Sequence, residues 1–211
     1  MDVKVLGISG SPRRHGNTET LLDSFLEGTK EGGAESRKVI LRDLNIVPCR
    51  GCNVCHKDGT CILRDDLETV FDTILSVDIL AVASPIYTMG ITAETKALID
   101  RSQYLWARKY KLKTLYFSRE HIQRHKGLFI STAGQGWDYV FNAAFPAMTA
   151  FFDVMGFEYY DNIIANDMDR YGGIRGHPTA LTEAREKGKK VVEQVRKLQG
   201  TESESDQQHH E

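Results

Sequence analysis

The segment VKVLGISGSPRRHGNTETLLDSFL, residues 3–26, joins a predicted strand to a predicted helix through a loop of glycines, hydroxyls and arginines. Residues 3–8 are a nearly continuous apolar run, which is typical of a strand covered on both faces. Beyond the loop, apolar residues recur at the spacing of one helical stripe: Leu21, Leu22, Phe25 and Leu26. A strand, a polar loop and an amphipathic helix in this order indicate an α/β fold.

The same alternation of strand and helix continues along the chain. Apolar runs that predict strands lie at residues 3–8, 38–41, 78–83, 127–132 and 159–164. Helical spacing is found at residues 18–30, 66–76, 93–105, 139–155 and 179–198. Because right-handed crossovers leave few topologies, this pattern predicts a doubly wound, five-stranded parallel sheet in the order 2-1-3-4-5, with helices on both faces.

The overall composition is that of an ordinary soluble domain. The 211 residues are 41% hydrophobic and 27% charged, and the net charge of −2 gives no reason to expect nucleic acid or a membrane surface as a partner. No apolar stretch approaches the roughly 20 residues needed to cross a bilayer, and the N-terminus lacks the apolar core of a signal peptide. We therefore expect a cytoplasmic protein.

One domain accounts for most of the chain. We expect it to span residues 1–199 and to carry two additions, a cysteine-rich loop at residues 45–64 and a basic, aromatic insertion at residues 104–126. Residues 200–211 are rich in Glu, Ser, Gln and His and are predicted to form a disordered polar tail.

Three charged residues stand out on the third predicted helix. Lys96 and Asp100 have the i, i+4 spacing of a helix-surface ion pair, and Arg101 follows them. We interpret all three as ordinary helix surface and assign none of them to a site.

The loop after the first strand has the features of an anion site. Its glycines leave backbone N–H groups free, and the following helix presents the positive end of its dipole. The side chains that can add donors or charge are Ser9, Ser11, Asn17, Thr18, and Arg13 or Arg14. Neither a P-loop nor a Gly-x-Gly-x-x-Gly dinucleotide motif is present. The pattern favours a mononucleotide phosphate, with a polar turn and helix cap as the alternative.

Ser-Gly-Ser-Pro-Arg at residues 9–13, followed by Gly-Asn-Thr at residues 16–18, resembles the FMN phosphate loop of the flavodoxin-like NAD(P)H:FMN reductases and iron–sulfur flavoproteins. The resemblance implies a flavodoxin-like fold with FMN as a cofactor. It also implies that this loop binds the FMN phosphate, through Ser9, Ser11, Pro12, Arg13, Asn17 and Thr18.

Two further loops extend the resemblance. They contain, after the third predicted strand, Ser84, Pro85, Ile86 and Tyr87 and, at the end of the fourth, Thr132, Ala133, Gly134 and Gly136. In a doubly wound sheet the ligand lies outside the carboxyl ends of the strands, so these loops are expected to converge with the phosphate loop. The resemblance implies that they grip the isoalloxazine ring. The alternative for each loop alone is structural, because strand ends commonly carry Gly and Pro.

All four cysteines lie within thirteen residues, in the spacing C-x2-C-x2-C-x5-C: Cys49, Cys52, Cys55 and Cys61. Without an export signal, such clustering indicates metal or redox chemistry rather than a disulfide framework. The compact spacing suits the iron corners of a cubane, whereas zinc sites usually take two separated cysteine pairs. Zinc and a redox-active cysteine pair remain as alternatives. Because the loop follows the second strand, we expect its thiols at the same sheet edge as the phosphate loop.

This spacing is similar to the compact cysteine motif of the iron–sulfur flavoproteins. The resemblance implies that Cys49, Cys52, Cys55 and Cys61 hold one [4Fe–4S] cluster, beside one FMN per chain. It further implies an electron-transfer oxidoreductase that relays electrons between a one-electron donor such as ferredoxin and a small-molecule, two-electron acceptor. A homodimer or homotetramer is expected, with residues 104–117 as the candidate interface.

Two other functions fit the same residues. One is an NAD(P)H-dependent FMN or quinone reductase in which the cysteine loop is only structural. The other is a non-catalytic, flavodoxin-type electron carrier. No side chain is an evident general acid or nucleophile, so the sequence leaves the catalytic residues unassigned.

Overall fold

The computed structural model describes residues 2–205, in which five parallel strands form one sheet in the order β2-β1-β3-β4-β5. The strands are β1 Lys4–Ser9, β2 Glu35–Ile40, β3 Ile79–Ala83, β4 Lys126–Thr132 and β5 Glu158–Ala165. Each neighbouring pair is parallel, so every carboxyl end lies at the same edge. The predicted fold class and strand order are confirmed.

Helices connect the strands and cover both faces of the sheet. They are α1 Asn17–Glu31, α2 Cys55–Asp58, α3 Leu67–Ile74, α4 Ala93–Arg101, α5 Gln103–Trp106, α6 Arg119–Arg124, α7 Phe145–Met155 and α8 Ala180–Ser205. A π-helical turn, Ala107–Lys111, continues directly from α5. Short 3₁₀ turns occupy Leu41–Asp43 and Ile174–Gly176.

One face of the sheet is covered by α1 and α8. Their buried stripes, represented by Phe25 and Val191, pack on β1, β3 and β4 in one continuous core. The two helices touch backbone to backbone, because a Cβ at Gly28 would lie 1.9 Å from the carbonyl oxygen of Arg185 and one at Gly188 would lie 2.3 Å from that of Phe25. Any larger side chain at either glycine would force the helices apart.

The opposite face is covered by α3, α4, α5 and α7. Phe71, Leu98 and Phe152 are fully buried there and form a second core with the other faces of β1, β3 and β4. Every residue of β3 is buried, as its continuous apolar run predicts. Two separate cores on the two faces are the expected consequence of a parallel sheet with helical crossovers.

Several predicted boundaries are wrong. β2 begins at Glu35 rather than at residue 38, because its first four residues, 35–38, are all polar and lack the apolar run used to find it. α7 begins at Phe145 rather than at residue 139, and the residues before it form turns. α8 continues to Ser205, into the predicted tail, because extending a formed helix costs little. The remaining tail, residues 206–211, lies outside the described residues.

The insertion before β4 packs along the C-terminal end of α7. Tyr110 and Lys109 both donate hydrogen bonds to Asp153, and the ring of Phe117 lies over Gly156. Gly156 has a positive φ of 80° and would place a Cβ 2.6 Å from that ring, so the position requires glycine. None of the helices within residues 2–205 combines the length and apolarity needed to cross a membrane.

A stack of aromatic rings holds α6 against the end of β5. His121 stacks on His125 with ring centroids 3.7 Å apart, and Phe117 covers its other side at 4.8 Å. Burial, and then the charges of His125 and Arg124, lower the pKa of His121 from 6.5 to about 4.

This depressed pKa predicts acid sensitivity. The unfolded chain takes up the His121 proton more readily than the folded chain, so stability is lost as the pH falls from about 6.5 towards 4. We expect the urea midpoint to fall between about pH 7 and pH 5, and to fall less in His121→Phe, which keeps the stack. The control is His15→Asn, at an exposed position with a φ of 52° that Asn tolerates. Its urea midpoint should depend on pH in the same way as that of the wild type. An unchanged pH dependence in His121→Phe would contradict the assignment.

Candidate functional site

A cavity of about 210 Å³ opens at the carboxyl edge of the sheet, where β1 meets α1. Gly16 occupies the N-cap of α1 and has no side chain to satisfy the first N–H groups of the helix. Ser11, Arg13 and Thr18 line the cavity around this helix end. Free N–H groups, hydroxyls and a positive dipole suit a phosphate group.

Arg42 and Glu19 fix the loop from behind. Arg42 Nη1 donates to the carbonyl oxygens of Ser11 and Arg13, at 3.1 and 3.2 Å, and to Glu19 Oε2 at 3.0 Å. Glu19, only 1% exposed, also accepts the N–H of His15 at 3.0 Å. Burial raises the pKa of Glu19, but hydrogen bonds from Arg42 and Lys38 outweigh it and lower the pKa overall. These contacts hold the carbonyls of Ser11 and Arg13 on the side of the loop that faces Arg42.

Short hydrogen bonds tie the phosphate loop to the loops after β3 and β4. Thr92, the N-cap of α4, donates from Oγ1 to the carbonyl of Gly10 at 2.6 Å. Its N–H donates to the hydroxyl of Ser84 at 3.0 Å. Thr18 and Thr132 share a hydrogen bond of 2.5 Å between their hydroxyls. The three loops therefore form one connected rim.

A tight turn after β3 places Tyr87 at the cavity. Tyr87 and Gly90 exchange both backbone hydrogen bonds, at 2.9 and 3.0 Å, and the residues between them, Thr88 and Met89, have positive φ values of 49° and 65°. Left-handed geometry at both central positions describes a type I′ turn, which is unfavourable for a β-branched residue such as Thr88. This strained turn lies at the rim of the cavity. The Tyr87 side chain is 43% exposed there and can contact a planar ligand.

The structure brings most of the predicted cofactor residues to this cavity. Those that line it are Ser11, Arg13, Asn17, Thr18, Pro85, Ile86, Tyr87, Thr132, Ala133 and Gly134. Four others lie outside the lining: Ser9, Pro12, Ser84 and Gly136. Ser9 is fully buried and its hydroxyl has no hydrogen-bond partner among the described residues. Pro12 is exposed, and Gly136 faces Asp167. Arg14 pairs with Asp43 at 2.8 Å instead of facing the cavity.

Three lining residues were not predicted as cofactor residues: Gly16, which lies within the phosphate-loop motif, and Met168 and Asp169. Met168 and Asp169 come from the loop after β5, where their N–H groups donate to the carbonyls of Ala133 and Gly134 at 3.1 and 3.2 Å. The strand-end rule that identified the other loops also applies to β5, so these residues could have been found from their position alone.

All four cysteines are free thiols that line a second, smaller cavity. The loop curls through left-handed backbone at Gly51, Asn53 and Gly59, with φ values of 64°, 59° and 76°. Burial raises the pKa of Cys55, and the nearby Cys61, Cys49 and Cys52 raise it further, so the thiols are close enough to interact electrostatically. Within the described residues, no three His, Cys, Asp or Glu side chains are grouped closely enough to hold a single metal ion.

Arg101 also belongs to this cavity, which corrects its interpretation as helix surface. Its side chain is 4% exposed and forms a buried ion pair with Asp65. Lys96 and Asp100 do form the expected exposed pair, at 2.7 Å. The i, i+4 spacing described those two residues correctly but gave no signal for Arg101, because its partner is far away in the sequence.

The two cavities lie towards opposite ends of α4. Thr92 binds the phosphate loop at one end, and Arg101 binds the carbonyl of Val47, beside the cysteines, at the other. Nine helical residues span about 13 Å, and no described residue lines both cavities. The thiols are therefore displaced from the phosphate loop, contrary to the expectation that the two would share one rim. Residues 41–48 are long enough to carry the chain back along α4.

Comparisons with known proteins connect the chain to flavoproteins. An iron–sulfur flavoprotein of Methanocaldococcus jannaschii is 40% identical over 103 residues, which are 49% of this chain and 53% of that protein. One from Methanosarcina thermophila is 35% identical over 111 residues, 53% of this chain and 58% of that protein. The chain thus spans little more than half the length of these relatives.

A solved NAD(P)H:quinone oxidoreductase from Methanothermobacter marburgensis superposes with a TM-score of 0.66 at 18% identity, covering 90% of this chain and 98% of that one. At this identity the likeness shows the fold alone, and it agrees with the predicted flavodoxin-like architecture. The sequence profile described as NADPH-dependent FMN reductase matches residues 3–155. Because this match covers well over half of its residues, the chain belongs to the NADPH-dependent FMN reductase family.

Proposed function

We propose that this chain is a flavin-dependent oxidoreductase that binds FMN in the cavity beside α1 and a [4Fe–4S] cluster at its four cysteines. It relays electrons between a one-electron donor such as ferredoxin and a small-molecule, two-electron acceptor. The observation that carries the proposal is the pairing of a phosphate-type cavity with four free thiols lining a second cavity, on one fold of the FMN reductase family.

The first cavity has the groups that FMN requires. The phosphate would be held by the loop at residues 11–18, with Arg13 supplying positive charge. The ring would lie against the loops at residues 85–87 and 132–134, with Tyr87 beside it. When bound, FMN supplies one- or two-electron chemistry, and the protein orients it and limits water access.

The second cavity has the donor set of a cubane. Four thiolates are the usual ligands of a [4Fe–4S] cluster. A tetrahedral zinc site would need sulfurs about 3.8 Å apart, since Zn–S bonds are about 2.3 Å, whereas a cubane places one iron behind each sulfur and separates them further. The four thiols that line one cavity supply this donor set.

Positive charge surrounds the cysteine loop. Arg50 and Lys57 lie on the loop, and Lys111 and Lys113 are exposed on the adjoining insertion, although the chain as a whole has a net charge of −2. Such a local field steers an acidic donor protein towards the cluster end of the molecule.

Reduced thiols are maintained in the cytoplasm, where we place the protein.

A second candidate is an NAD(P)H-dependent FMN or quinone reductase with a structural cysteine loop. The family match favours it, because that family is described by NADPH-dependent flavin reduction. A flavodoxin-type carrier without a substrate is the third candidate. All three share the FMN cavity and differ in the cysteines and the electron donor.

The test is the cofactor content of anaerobically purified protein. We expect about one FMN and four iron and four sulfide per chain, with cluster absorption that disappears in Cys52→Ala while FMN remains bound. The separation of the cavities by α4 is the physical reason that only one cofactor is lost. Reduction by a low-potential ferredoxin and slow turnover with NADPH are expected. Zinc or no metal beside FMN, with rapid NADPH turnover, would establish the reductase instead.

Arg42 provides a test of the phosphate loop. Arg42→Met removes the bonds to the carbonyls of Ser11 and Arg13, so we expect FMN to bind roughly tenfold more weakly, about 1.4 kcal/mol. Riboflavin, which lacks the phosphate, should bind equally to variant and wild type in fluorescence titrations. Arg37→Met, at an exposed ion pair on β2, is the matched control and should leave both affinities unchanged. An equal loss of affinity for FMN and riboflavin would show that Arg42 stabilises the fold in general and not the phosphate loop in particular.

The insertion at residues 104–117 is our proposed interface of a homodimer or homotetramer. Trp106, Tyr110 and Tyr116 are exposed there, and Tyr116 is the most exposed large hydrophobic residue of the described chain. Light scattering should give a dimer or tetramer mass, and Trp106→Ser/Tyr116→Ser should lower it. Tyr139→Ser, at an exposed aromatic residue on another loop, is the control. A monomeric wild type refutes the assembly, and dissociation by the control alone places the interface elsewhere.

A further inference from the structure

Arg101, the last residue of α4, connects the two ends of the cysteine loop. Its Nη1 donates to the carbonyl of Val47 at 2.6 Å, and its Nη2 donates to the carbonyl of Leu63 at 3.4 Å. Val47 precedes Cys49 by two residues, and Leu63 follows Cys61 by two residues. One guanidinium therefore links the two ends of the loop that contains all four thiols. We call this junction, formed by Val47, Leu63 and Arg101, the neck of the loop.

Asp65 holds this guanidinium in place. Its carboxylate accepts from Nη1 and Nη2 of Arg101, and also from the N–H groups of Val47 at 2.8 Å and Leu67 at 3.1 Å. Burial raises the pKa of Asp65, but the hydrogen bond from Arg101 and the two backbone N–H groups outweigh it and lower the pKa overall. The buried pair is fully charged and well partnered, which is the arrangement in which such pairs are tolerated.

One donor of Arg101 remains unused. Its Nε is buried and has no hydrogen-bond partner among the described residues. The thiol of Cys61 is a candidate acceptor, since Cys61 and Arg101 line the same small cavity. Burial lowers the pKa of Arg101, but its hydrogen bond to Asp65 and the nearby Cys61 outweigh this and raise the pKa overall. Buried N–H groups in proteins are normally hydrogen-bonded, and a thiolate at Cys61 would be a suitable acceptor for this one.

We propose that Arg101 is a positioning residue for the cysteine loop, which closes its neck and donates the Nε hydrogen bond to the sulfur of Cys61 when that sulfur ligates iron. The inference rests on the proposed function. A hydrogen bond to a ligating sulfur favours the state with more negative charge, so it raises the reduction potential of the cluster. The one electron added on reduction comes from the external donor.

Arg101→Lys isolates the Nε donor. The lysine ammonium can still pair with Asp65, but it has no donor at the Nε position and no planar fork. We expect the variant to keep its iron, sulfide and FMN, while the equilibrium constant for one-electron reduction falls by up to tenfold. That change lowers the potential by up to about 59 mV in an anaerobic spectroelectrochemical titration. Lys96→Met, which breaks the exposed pair on the same helix, should leave the potential unchanged.

Arg101→Met tests the neck. We expect iron and sulfide per chain to fall at least severalfold while the FMN content stays at the wild-type value. Asp65→Asn, which leaves the arginine but weakens its anchor, should give a smaller loss and serves where the methionine variant does not fold. Full cluster content in both variants overturns the closing role, and an unchanged potential in Arg101→Lys overturns the hydrogen bond.

Hydrogen exchange of the metal-free protein separates this inference from the proposed function. Backbone amides of residues 48–62 should exchange faster in Arg101→Met and Asp65→Asn than in the wild type, whether or not a cluster can be loaded. Faster exchange together with a wild type that never binds iron would keep the neck and refute the cluster. Equal exchange in all proteins would refute the neck, whatever the iron content.

Discussion

The parallel direction of the five strands is the constraint on which the rest of the structure depends. It requires every crossover to return across a face of the sheet, which buries both faces and produces the two separate cores around Phe25 and Phe71. It also places every carboxyl end at one edge, so that the loops after β1, β3, β4 and β5 meet around one cavity. The site is thus a consequence of topology before any particular side chain is considered.

Much of this could be predicted from the sequence, because the relevant signals are local. Apolar runs and helical spacing identified the strands and the order of the sheet, and the strand-end rule led to most residues of the cavity. What escaped prediction depends on contacts between distant segments. Arg42 reaches the phosphate loop from the end of β2, and Arg101 finds Asp65 across 36 positions of sequence. No periodicity within a single helix encodes either contact.

For the cysteine loop, the sequence predicted which residues are the candidate ligands but not where in the fold they lie. Its spacing identified four candidate ligands, and the structure gathers them around one cavity. Their distance from the phosphate loop does not follow from the strand that precedes the loop, because the residues in between decide where the loop lies. Residues 41–48 run from the end of β2 to the far end of α4, where Val47 meets Arg101. A connection of that length allows the cysteines to leave the sheet edge.

Because α4 is held at both ends, its length sets the distance between the phosphate loop and the cysteine loop. Each residue of a helix adds 1.5 Å and turns the next side chain by about 100°. One inserted residue would swing the terminal guanidinium off the cysteine loop while the threonine at the other end still held Gly10. Only insertions close to a whole number of turns would restore the facing direction, and those would lengthen the spacing. Evolution can therefore vary the sequence along this helix far more freely than its number of residues.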